Sequence, residues 1–203
     1  ISSLCFGTMQ FGGASDFKES ELIFNKCREV GINFFDTAHS YNQGRSEEIL
    51  GALCQRNRDE LLLGTKAAYD NSATKKNILK SFEESRKRLN TDFIDILYMH
   101  RWDPSVPIQE TIECLAELIG KRLIRYIGVS NYAAWQVMKA KKVATDLGIS
   151  LDVIQPMYSL VKRQAEVELL PMSAEEKIAV CPYSPLGGGL LTGKYIKEGV
   201  TGR

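Results

Sequence analysis

Short apolar runs and amphipathic segments alternate along the whole chain. Seven of the runs have the length and apolar content of strands, and they cover residues 3–6, 32–35, 61–65, 93–99, 124–129, 152–154 and 178–181. The segments between them carry apolar residues at helical spacing. Strands that alternate regularly with helices are typical of βα units around a parallel sheet. The pattern therefore predicts seven strands and six helices.

Several of the predicted helices carry recognisable start or stop residues. The first covers 21–30 and stops at Gly31, the third stops at Asn90, and Pro107 stands where the fourth begins. Ser46 is expected to cap the second helix. The fifth covers 133–147, and a weaker sixth begins over 165–169 and is interrupted by Pro171.

Two architectures fit this alternation, an open doubly wound sheet and a closed eight-stranded barrel. A dinucleotide-binding doubly wound sheet requires G-x-G-x-x-G after the first strand, but residues 7–13 read GTMQFGG and lack that spacing. Polar residues stand at the ends of most strands, where barrels collect their functional groups. The pattern favours an α/β fold, the (β/α)8 TIM barrel, with the eighth βα unit absent from this chain. We expect residues 1–203 to form a single barrel domain that is incomplete at both ends.

Charge and composition exclude several classes of function. The net charge is +1 over 203 residues, which gives no basic footprint for nucleic acid. No run approaches the length of about 18 apolar residues that spans a membrane. The five cysteines are scattered without a C-x-x-C pair, so we expect reduced thiols and a cytoplasmic protein. With only His39 and His100 available, we expect no histidine-rich metal site.

Four chemically active side chains stand at the ends of three consecutive predicted strands. Asp36 ends the second strand and Tyr41 follows it, Lys66 follows the third, and His100 follows the fourth. A charge at the end of a buried strand costs several kcal/mol unless it is paired, so Asp36 requires a partner. An ammonium stabilises a nearby phenolate, which predicts a tyrosine able to exchange a proton near neutral pH beside an orienting imidazole. Taken singly, each residue also fits an ordinary structural role.

Later strands end in amide, hydroxyl and glycine residues. Ser130 and Asn131 follow the fifth strand and Gln155 follows the sixth, and a carboxamide ligand needs such donors and acceptors. The alternative is that Ser130 and Asn131 cap the next helix. The seventh strand leads into PYSPLGGGLLTGKY over 182–195, where an aromatic can stack on a flat ring and glycine N–H groups can approach a diphosphate. The alternative is that this segment is only a flexible loop.

A set of short motifs occurs in order along nearly the whole chain. They are Gly7-Thr8-Met9, Asp36-Thr37-Ala38 with Tyr41, Gly44-Arg45-Ser46-Glu47-Glu48, Thr65-Lys66, Met99-His100, Gly128-Val129-Ser130-Asn131, Gln155 and Tyr183-Ser184-Pro185-Leu186-Gly187. Together they resemble the aldo-keto reductase superfamily. The sequence LLTGKY over 190–195 resembles the short-loop microbial branch and the potassium-channel β-subunit branch.

The resemblance implies an NADP-dependent aldo-keto reductase of the alcohol:NADP oxidoreductase type. Asp36, Tyr41, Lys66 and His100 are then the catalytic tetrad, and Tyr41 is the proton donor when aldehydes or ketones are reduced to alcohols by hydride transfer. The implied cofactor is NADP(H), with NAD(H) as an alternative because the 2′-phosphate-binding segment is missing. The implied cofactor-binding residues are Gly7, Thr8, Met9, Asp36, Ser130, Asn131, Gln155, Tyr183, Ser184, Pro185, Leu186, Gly187, Gly188 and Lys194.

A second function keeps the same tetrad. The protein would then be a cofactor-binding, redox-sensing regulatory subunit with little turnover, similar to the channel β-subunits. The expected partner of the enzyme is a small-molecule carbonyl substrate, with no nucleic acid and no membrane. Five aromatic residues are candidates for a substrate pocket: Phe11, Tyr69, Trp102, Tyr132 and Tyr158.

Overall fold

The computed structural model describes residues 1–70 and 72–196, and the described residues contain seven parallel strands. The strands are β1 (Cys5–Gly7), β2 (Phe34–Asp36), β3 (Leu62–Ala67), β4 (Ile94–Met99), β5 (Ile124–Ser130), β6 (Val153–Gln155) and β7 (Ala179–Val180). They lie side by side in chain order, and every neighbouring pair is parallel. A doubly wound sheet reverses its order at a switch point. This sheet does not, which confirms the seven units of a (β/α)8 barrel.

A helix connects each strand to the next. The helices are α1 (Phe17–Glu29), α2 (Arg45–Cys54), α3 (Lys75–Leu89), α4 (Ile108–Gly120), α5 (Ala134–Asp146) and α6 (Leu169–Glu175). Helices α1 to α5 bury apolar residues against the strands, and α6 packs the partly buried Leu169 and Met172 there, as helices around a parallel sheet do. The carboxyl ends of all seven strands therefore lie at one edge of the sheet, which is the edge that carries the candidate site.

Two apolar layers show that the sheet curls. Successive side chains of a strand point to opposite faces. One layer lies between strands and helices and contains Phe35, Leu63 and Leu97. The other lies on the inner face and consists of Phe34, Ile96, Tyr98 and Val153, with Cys5, Leu62 and Cys181 packed against it. Because Cys5 belongs to β1 and Cys181 directly follows β7, the two edges of the sheet face one shared interior.

Two helix starts and the course of one helix differ from the sequence predictions. α1 begins at Phe17 rather than at 21, because the Asp16 side chain accepts the Glu19 N–H (2.8 Å) and caps the helix earlier. Ser46 does not cap α2; its hydroxyl donates to the Thr8 carbonyl (2.7 Å). The sixth helix is not interrupted by Pro171. This proline lies in the first turn of α6, where a backbone N–H has no acceptor within the helix, so its absence breaks no hydrogen bond.

Three further properties concern membranes, metals and thiols. Among the described residues, no helix is both long enough and apolar enough to cross a bilayer. Within the same residues, His, Cys, Asp and Glu side chains nowhere gather in the groups of three that would hold a metal ion. All five cysteines are free thiols, and Cys27, Cys54 and Cys114 are buried.

Helices α2 and α3 meet at Gly51, where their backbones approach too closely for a side chain. A Cβ at this position would lie 2.6 Å from the Arg88 carbonyl oxygen and 2.7 Å from the Leu89 Cα. These contacts are with backbone atoms, which cannot rotate away. Gly51 therefore sets the spacing of the two helices.

We expect Gly51→Ala to lower the free energy of unfolding by about 1–3 kcal/mol, the usual cost of overpacking. Gly120→Ala is the matched control, because Gly120 ends α4 and an added Cβ meets nothing within 4 Å. That variant should be neutral or stabilised by up to about 1 kcal/mol. Urea unfolding measures both. Equal effects of the two substitutions would contradict the assignment of Gly51 as the spacer.

Candidate active site

The structure brings the four candidate catalytic side chains to the carboxyl ends of three adjacent strands. Asp36 ends β2, Lys66 lies near the end of β3, and His100 directly follows β4. Tyr41 begins a short 3-10 turn over Tyr41–Gly44, between β2 and α2. Functional groups of barrel enzymes collect at this edge.

Lys66 and Asp36 form a buried ion pair. Lys66 is 1% exposed and Asp36 is 7% exposed. The Lys66 ammonium donates to Asp36 Oδ2 and, at 2.6 Å, to the Thr37 carbonyl oxygen. Burial alone disfavours the ammonium, but Asp36 and Tyr41 outweigh that effect and raise the pKa of Lys66. Lys66 is thus a permanent cation inside the barrel.

Tyr41 lies beside this cation and keeps its proton. Lys66 Nζ is 5.0 Å from the centre of the Tyr41 ring. Burial raises the pKa of Tyr41 and Lys66 lowers it, while Asp36 and Tyr183 add to the increase, so the pKa is raised overall. This differs from the predicted phenol that titrates near neutral pH, because burial outweighs the single cation. In this structure Tyr41 is a neutral phenol and a potential proton donor.

His100 is the neutral partner of this group. Its ring centroid lies 5.8 Å from that of Tyr41, edge to face, and 4.6 Å from that of Tyr69. Burial, with the Lys66 and Arg101 cations, lowers the pKa of His100 to about 3. Its Nδ1 is buried and has no hydrogen-bond partner within the described part of the chain. The imidazole therefore carries no charge and has an unsatisfied nitrogen.

The predicted carboxamide-binding residues are connected to the tetrad by hydrogen bonds. Gln155 Nε2 donates to Asp36 Oδ1 (3.1 Å), and Asn131 Nδ2 donates to the His100 carbonyl oxygen (2.9 Å). Ser130 Oγ donates to the Gln155 carbonyl oxygen (2.9 Å). The alternative in which Ser130 and Asn131 cap the next helix is wrong, because the N-cap position of α5 is Ala133.

Tyr183 joins the seventh strand to this network. Its hydroxyl donates to Asn131 Oδ1 at 2.9 Å. Asn131 itself has a left-handed backbone (φ 58°), a conformation that asparagine tolerates better than most residues. Asn131 after β5 thus bonds to the Tyr183 side chain after β7 and to the backbone carbonyl of His100 after β4, and the three residues form one hydrogen-bonded cluster at the rim of the barrel.

The first strand supports Asp36 from the other side. The Thr8 N–H (2.8 Å) and hydroxyl (3.1 Å) both donate to the Asp36 carbonyl oxygen. Gly7 pairs with Asp36 in the strand register. Met9 is 43% exposed, and its carbonyl oxygen accepts Asn42 Nδ2 at 2.7 Å. Of the predicted motif Gly7-Thr8-Met9, Thr8 thus holds the end of β2 in place.

The glycine-rich loop lies beyond this cluster. Ser184, Gly187, Gly188 and Gly189 all have positive φ, from 56° to 102°. Pro185 and Leu186 are exposed. In the described ranges, none of the hydrogen bonds of residues 184–194 reaches a tetrad side chain. The structure therefore brings Tyr183 to the tetrad cluster and leaves Ser184–Gly188 and Lys194 at its periphery.

Comparison with known proteins identifies the family. The model of the aldo/keto reductase family matches residues 3–202. The chain belongs to this family. A probable voltage-gated potassium channel subunit beta from Arabidopsis thaliana is 36% identical over 98% of the chain, and the aldo-keto reductase YhdN of Bacillus subtilis is 38% identical over 97%. L-glyceraldehyde 3-phosphate reductase of Escherichia coli is 32% identical over 92% of the chain.

The chain spans less than two thirds of the length of these family members. It covers 65% of the Arabidopsis protein, 62% of the Bacillus protein and 58% of the Escherichia coli reductase. Family membership rests on the match over residues 3–202, and the order of the parallel strands agrees with it.

Two contributions to the site could not be predicted from the sequence. The Thr37 carbonyl accepts a Lys66 proton, and a backbone acceptor leaves no signature in residue type. The buried Tyr98 ring packs near Lys66, and the distance from Lys66 Nζ to the centre of that ring is 5.8 Å. The only sequence signal for Tyr98 is Gly128 on the neighbouring strand, where a Cβ would lie 2.3 Å from the Tyr98 ring.

The five aromatic candidates divide between the rim and the core. Tyr69 is 47% exposed and lies against His100, so it stays a candidate for substrate contact. Phe11 and Tyr132 are buried and pack within the protein. Trp102 packs edge-on against Tyr132 at 5.3 Å, and the Tyr158 hydroxyl donates to Glu166 Oε1 at 2.7 Å.

The depressed pKa of His100 predicts a specific dependence of stability on pH. Between about 3 and its unfolded value of about 6.5, the unfolded state binds a proton at His100 and the folded state does not. Stability should therefore fall as pH drops through this window. His100→Gln should make that fall shallower, as measured by urea unfolding at about pH 7 and about pH 4.5. An NMR titration that places the His100 pKa near 6.5 would contradict the burial effect.

Proposed function

We propose that the protein is a nicotinamide-dependent oxidoreductase that reduces aldehydes or ketones to alcohols, acting within a single barrel domain. The observation that carries this proposal is the buried Lys66–Asp36 pair beside a protonated Tyr41 and a neutral His100. This combination supplies a proton donor and a hydrogen-bonding imidazole in one water-poor site. Electrostatic groups act more strongly in such a site than in water.

Each tetrad residue has a distinct role in the proposal. The bound nicotinamide supplies a hydride to the carbonyl carbon of the substrate. Tyr41 donates its proton to the carbonyl oxygen as negative charge develops there. Lys66 stabilises the phenolate left behind, because a cation near a phenol lowers its pKa. Asp36 keeps Lys66 charged, and the neutral His100 positions the oxygen through a hydrogen bond.

The residues after β7 fit a dinucleotide cofactor. Residues 187–189 all have positive φ, and the N–H groups of Gly187 and Gly189 donate to the Ser184 and Leu186 carbonyl oxygens. We therefore assign the backbone contact with an anion to Gly188, since backbone N–H groups in turns can bind anions. A Cβ at Gly188 would meet nothing within 4 Å, so a ligand can approach its backbone. A Cβ at Gly189 would lie 3.0 Å from Lys194 Nζ, so the missing side chain leaves room for this ammonium. We propose NADP(H) as the cofactor, with NAD(H) as the alternative.

The cofactor residues divide into three groups in this proposal. The nicotinamide carboxamide is assigned to Ser130, Asn131 and Gln155, and the ring to Tyr183. The diphosphate is assigned to the loop and to its basic residue: Ser184, Pro185, Leu186, Gly187, Gly188 and Lys194. The end of β1 lies beside Asp36 and is assigned to the nicotinamide side of the cofactor: Gly7, Thr8 and Met9.

The proton-donor role predicts a large effect of one hydroxyl group. Tyr41→Phe should lower kcat roughly 10²- to 10⁴-fold, the usual contribution of a positioned acid. Lys66→Met should also lower the rate, and the two effects should not add in the double variant because both act on one proton transfer. The assay is reduction of 4-nitrobenzaldehyde with NADPH and with NADH. Near-wild-type turnover of Tyr41→Phe, with cofactor binding intact, would overturn the mechanism.

The stacking role of Tyr183 is separable from its hydrogen bond to Asn131. Tyr183→Ala should weaken cofactor binding by about 1 kcal/mol or more, the scale of an aromatic pair. Tyr183→Phe is the matched control, since it keeps the ring and loses only the hydroxyl bonded to Asn131. Fluorescence titration with the reduced cofactor measures both dissociation constants. Equal losses for Ala and Phe would assign the effect to the hydroxyl and not to stacking.

A second candidate function is supported by two of the relatives. The Arabidopsis protein and a rice protein, which is 34% identical over 98% of the chain, are both named probable voltage-gated potassium channel subunit beta. In this alternative the protein binds the cofactor tightly as a redox-sensing regulatory subunit and turns over slowly. Sustained reduction of simple aldehydes favours the enzyme. Tight cofactor binding with negligible turnover favours the regulatory subunit.

A further inference from the structure

The helix layer behind the tetrad contains a buried charge that the proposed mechanism does not use. Glu47, on α2, is fully buried (0% exposed). A buried carboxylate is strongly disfavoured unless it is paired and hydrogen-bonded. Its Oε1 accepts the Thr65 hydroxyl (2.6 Å), and its Oε2 lies 3.2 Å from Arg88 Nη1. Because Thr65 directly precedes Lys66, this carboxylate is hydrogen-bonded to the strand that carries the tetrad cation.

Arg88, on α3, connects Glu47 to the loop between Asp36 and Tyr41. Its Nη1 also donates to the His39 carbonyl oxygen at 3.0 Å. The His39 N–H in turn donates to the Lys66 carbonyl oxygen at 3.1 Å. One guanidinium nitrogen therefore ties α2, α3 and the 37–41 loop together.

The turn that begins at Tyr41 closes directly on the same guanidinium. A Cβ at Gly44 would lie 2.4 Å from Arg88 Cζ and 2.5 Å from Arg88 Nε. Gly44 also has φ +92°, which disfavours any residue with a side chain. The turn and the Arg88 head group are therefore shaped to fit one another.

Glu84 adds a second contact from the same helix. It lies one turn before Arg88 and thus on the same face of α3. Its Oε2 is 2.7 Å from His39 Nε2. Helix α3 therefore holds His39 at two points, through its imidazole and through its carbonyl oxygen. We name Glu47 of α2 together with Glu84 and Arg88 of α3 the α3 clamp, after the helix that supplies two of the three residues.

We propose that the α3 clamp is a positioning device that fixes the 37–44 loop against β3 and so holds the Tyr41 phenol beside Lys66. Within the described residues, the hydrogen bonds of the three clamp side chains join Glu47 to Arg88 or end on Thr65 and His39, and none reaches a tetrad side chain. Their effect on the reaction is therefore indirect. The inference rests on the proposed role of Tyr41 as proton donor.

The first test compares two arginines of α3. Arg88→Met removes the clamp residue that joins Glu47 to the His39 carbonyl oxygen, and Arg86→Met is the matched control. Both side chains are 24% exposed, but Arg86 pairs with Glu83 at the surface. Arg88→Met should lower kcat for 4-nitrobenzaldehyde reduction roughly 10- to 100-fold, because small misplacements of reacting groups have effects of this size. The KM for NADPH should change much less, and Arg86→Met should keep wild-type kcat.

A solvent deuterium isotope effect separates positioning from loss of folded protein. If Tyr41 is misplaced, proton transfer becomes slower and the isotope effect on kcat should rise in Arg88→Met. A smaller fraction of folded enzyme would lower kcat and leave the isotope effect unchanged, and that result would overturn the proposal. If Arg88→Met does not fold, Glu84→Gln provides the same test, since Glu84 is partly exposed and contacts the same loop.

A third measurement needs no turnover. Tyrosine labelled with ¹³C at Cζ reports the ionisation of Tyr41 by NMR, and the Tyr41→Phe spectrum assigns the signal. Burial raises the pKa of Tyr41, Lys66 opposes that increase, and Asp36 and Tyr183 add to it. This pKa should move toward the usual value of about 10 in Arg88→Met and stay unchanged in Arg86→Met. An unchanged pKa in Arg88→Met would overturn the positioning role. A wild-type protein without reductase activity would overturn only the proposed function.

Discussion

A buried ion pair between Lys66 and Asp36 is the interaction on which the rest of the site depends. An ammonium that is 1% exposed is strongly disfavoured alone, and Asp36 with the Thr37 carbonyl stabilises it. The pair requires one register of β2 and β3, which sets Asp36 opposite Gly64, two residues before Lys66. A side chain at Gly64 would crowd the pair, because its Cβ would lie 3.3 Å from Asp36 Oδ1 and 3.2 Å from the Tyr98 ring. The ion pair therefore depends on the strand register and is favoured by the glycine.

The same cation acts differently on the two neutral groups beside it. For His100, burial and the Lys66 charge both disfavour the imidazolium, so its neutral state is supported by two independent effects. For Tyr41, burial raises the pKa and Lys66 lowers it, so two opposing effects determine the pKa of the phenol. A displacement of Tyr41 changes the balance of these opposing effects and can alter the sign of the net pKa shift. His100 has no such balance, because burial and both neighbouring cations favour its neutral form.

Local sequence patterns predict much of the fold, and the polar residues at the ends of the predicted strands predict much of the site. Apolar runs located all seven strands, and the position of a polar residue after a strand brought Asp36, Lys66 and His100 to one edge. Contacts between distant segments could not be predicted in this way. Gln155 binds Asp36 across 119 positions of the chain. The Ser46 hydroxyl faces Thr8 rather than capping its own helix, because a tertiary acceptor competes with the local one. Residue type limits which bonds a side chain can form, but packing decides which partner it meets.

The two faces of each strand explain why the helix layer matters for a site inside the barrel. Neighbouring residues of β3 point to opposite faces, so Lys66 enters the interior while Thr65 meets Glu47 among the helices. A strand is a stiff connection between these two layers, since its backbone hydrogen bonds hold it on both sides. A displacement of Thr65 must therefore move Lys66. Within the described residues, the loop that carries Tyr41 makes only two backbone hydrogen bonds to β3, from Thr37 and His39, and contacts from α3 to His39 hold it further. The sheet thus sets the position of the cation, whereas the sheet and the helices together set the position of the phenol, and the geometry between them depends on both layers.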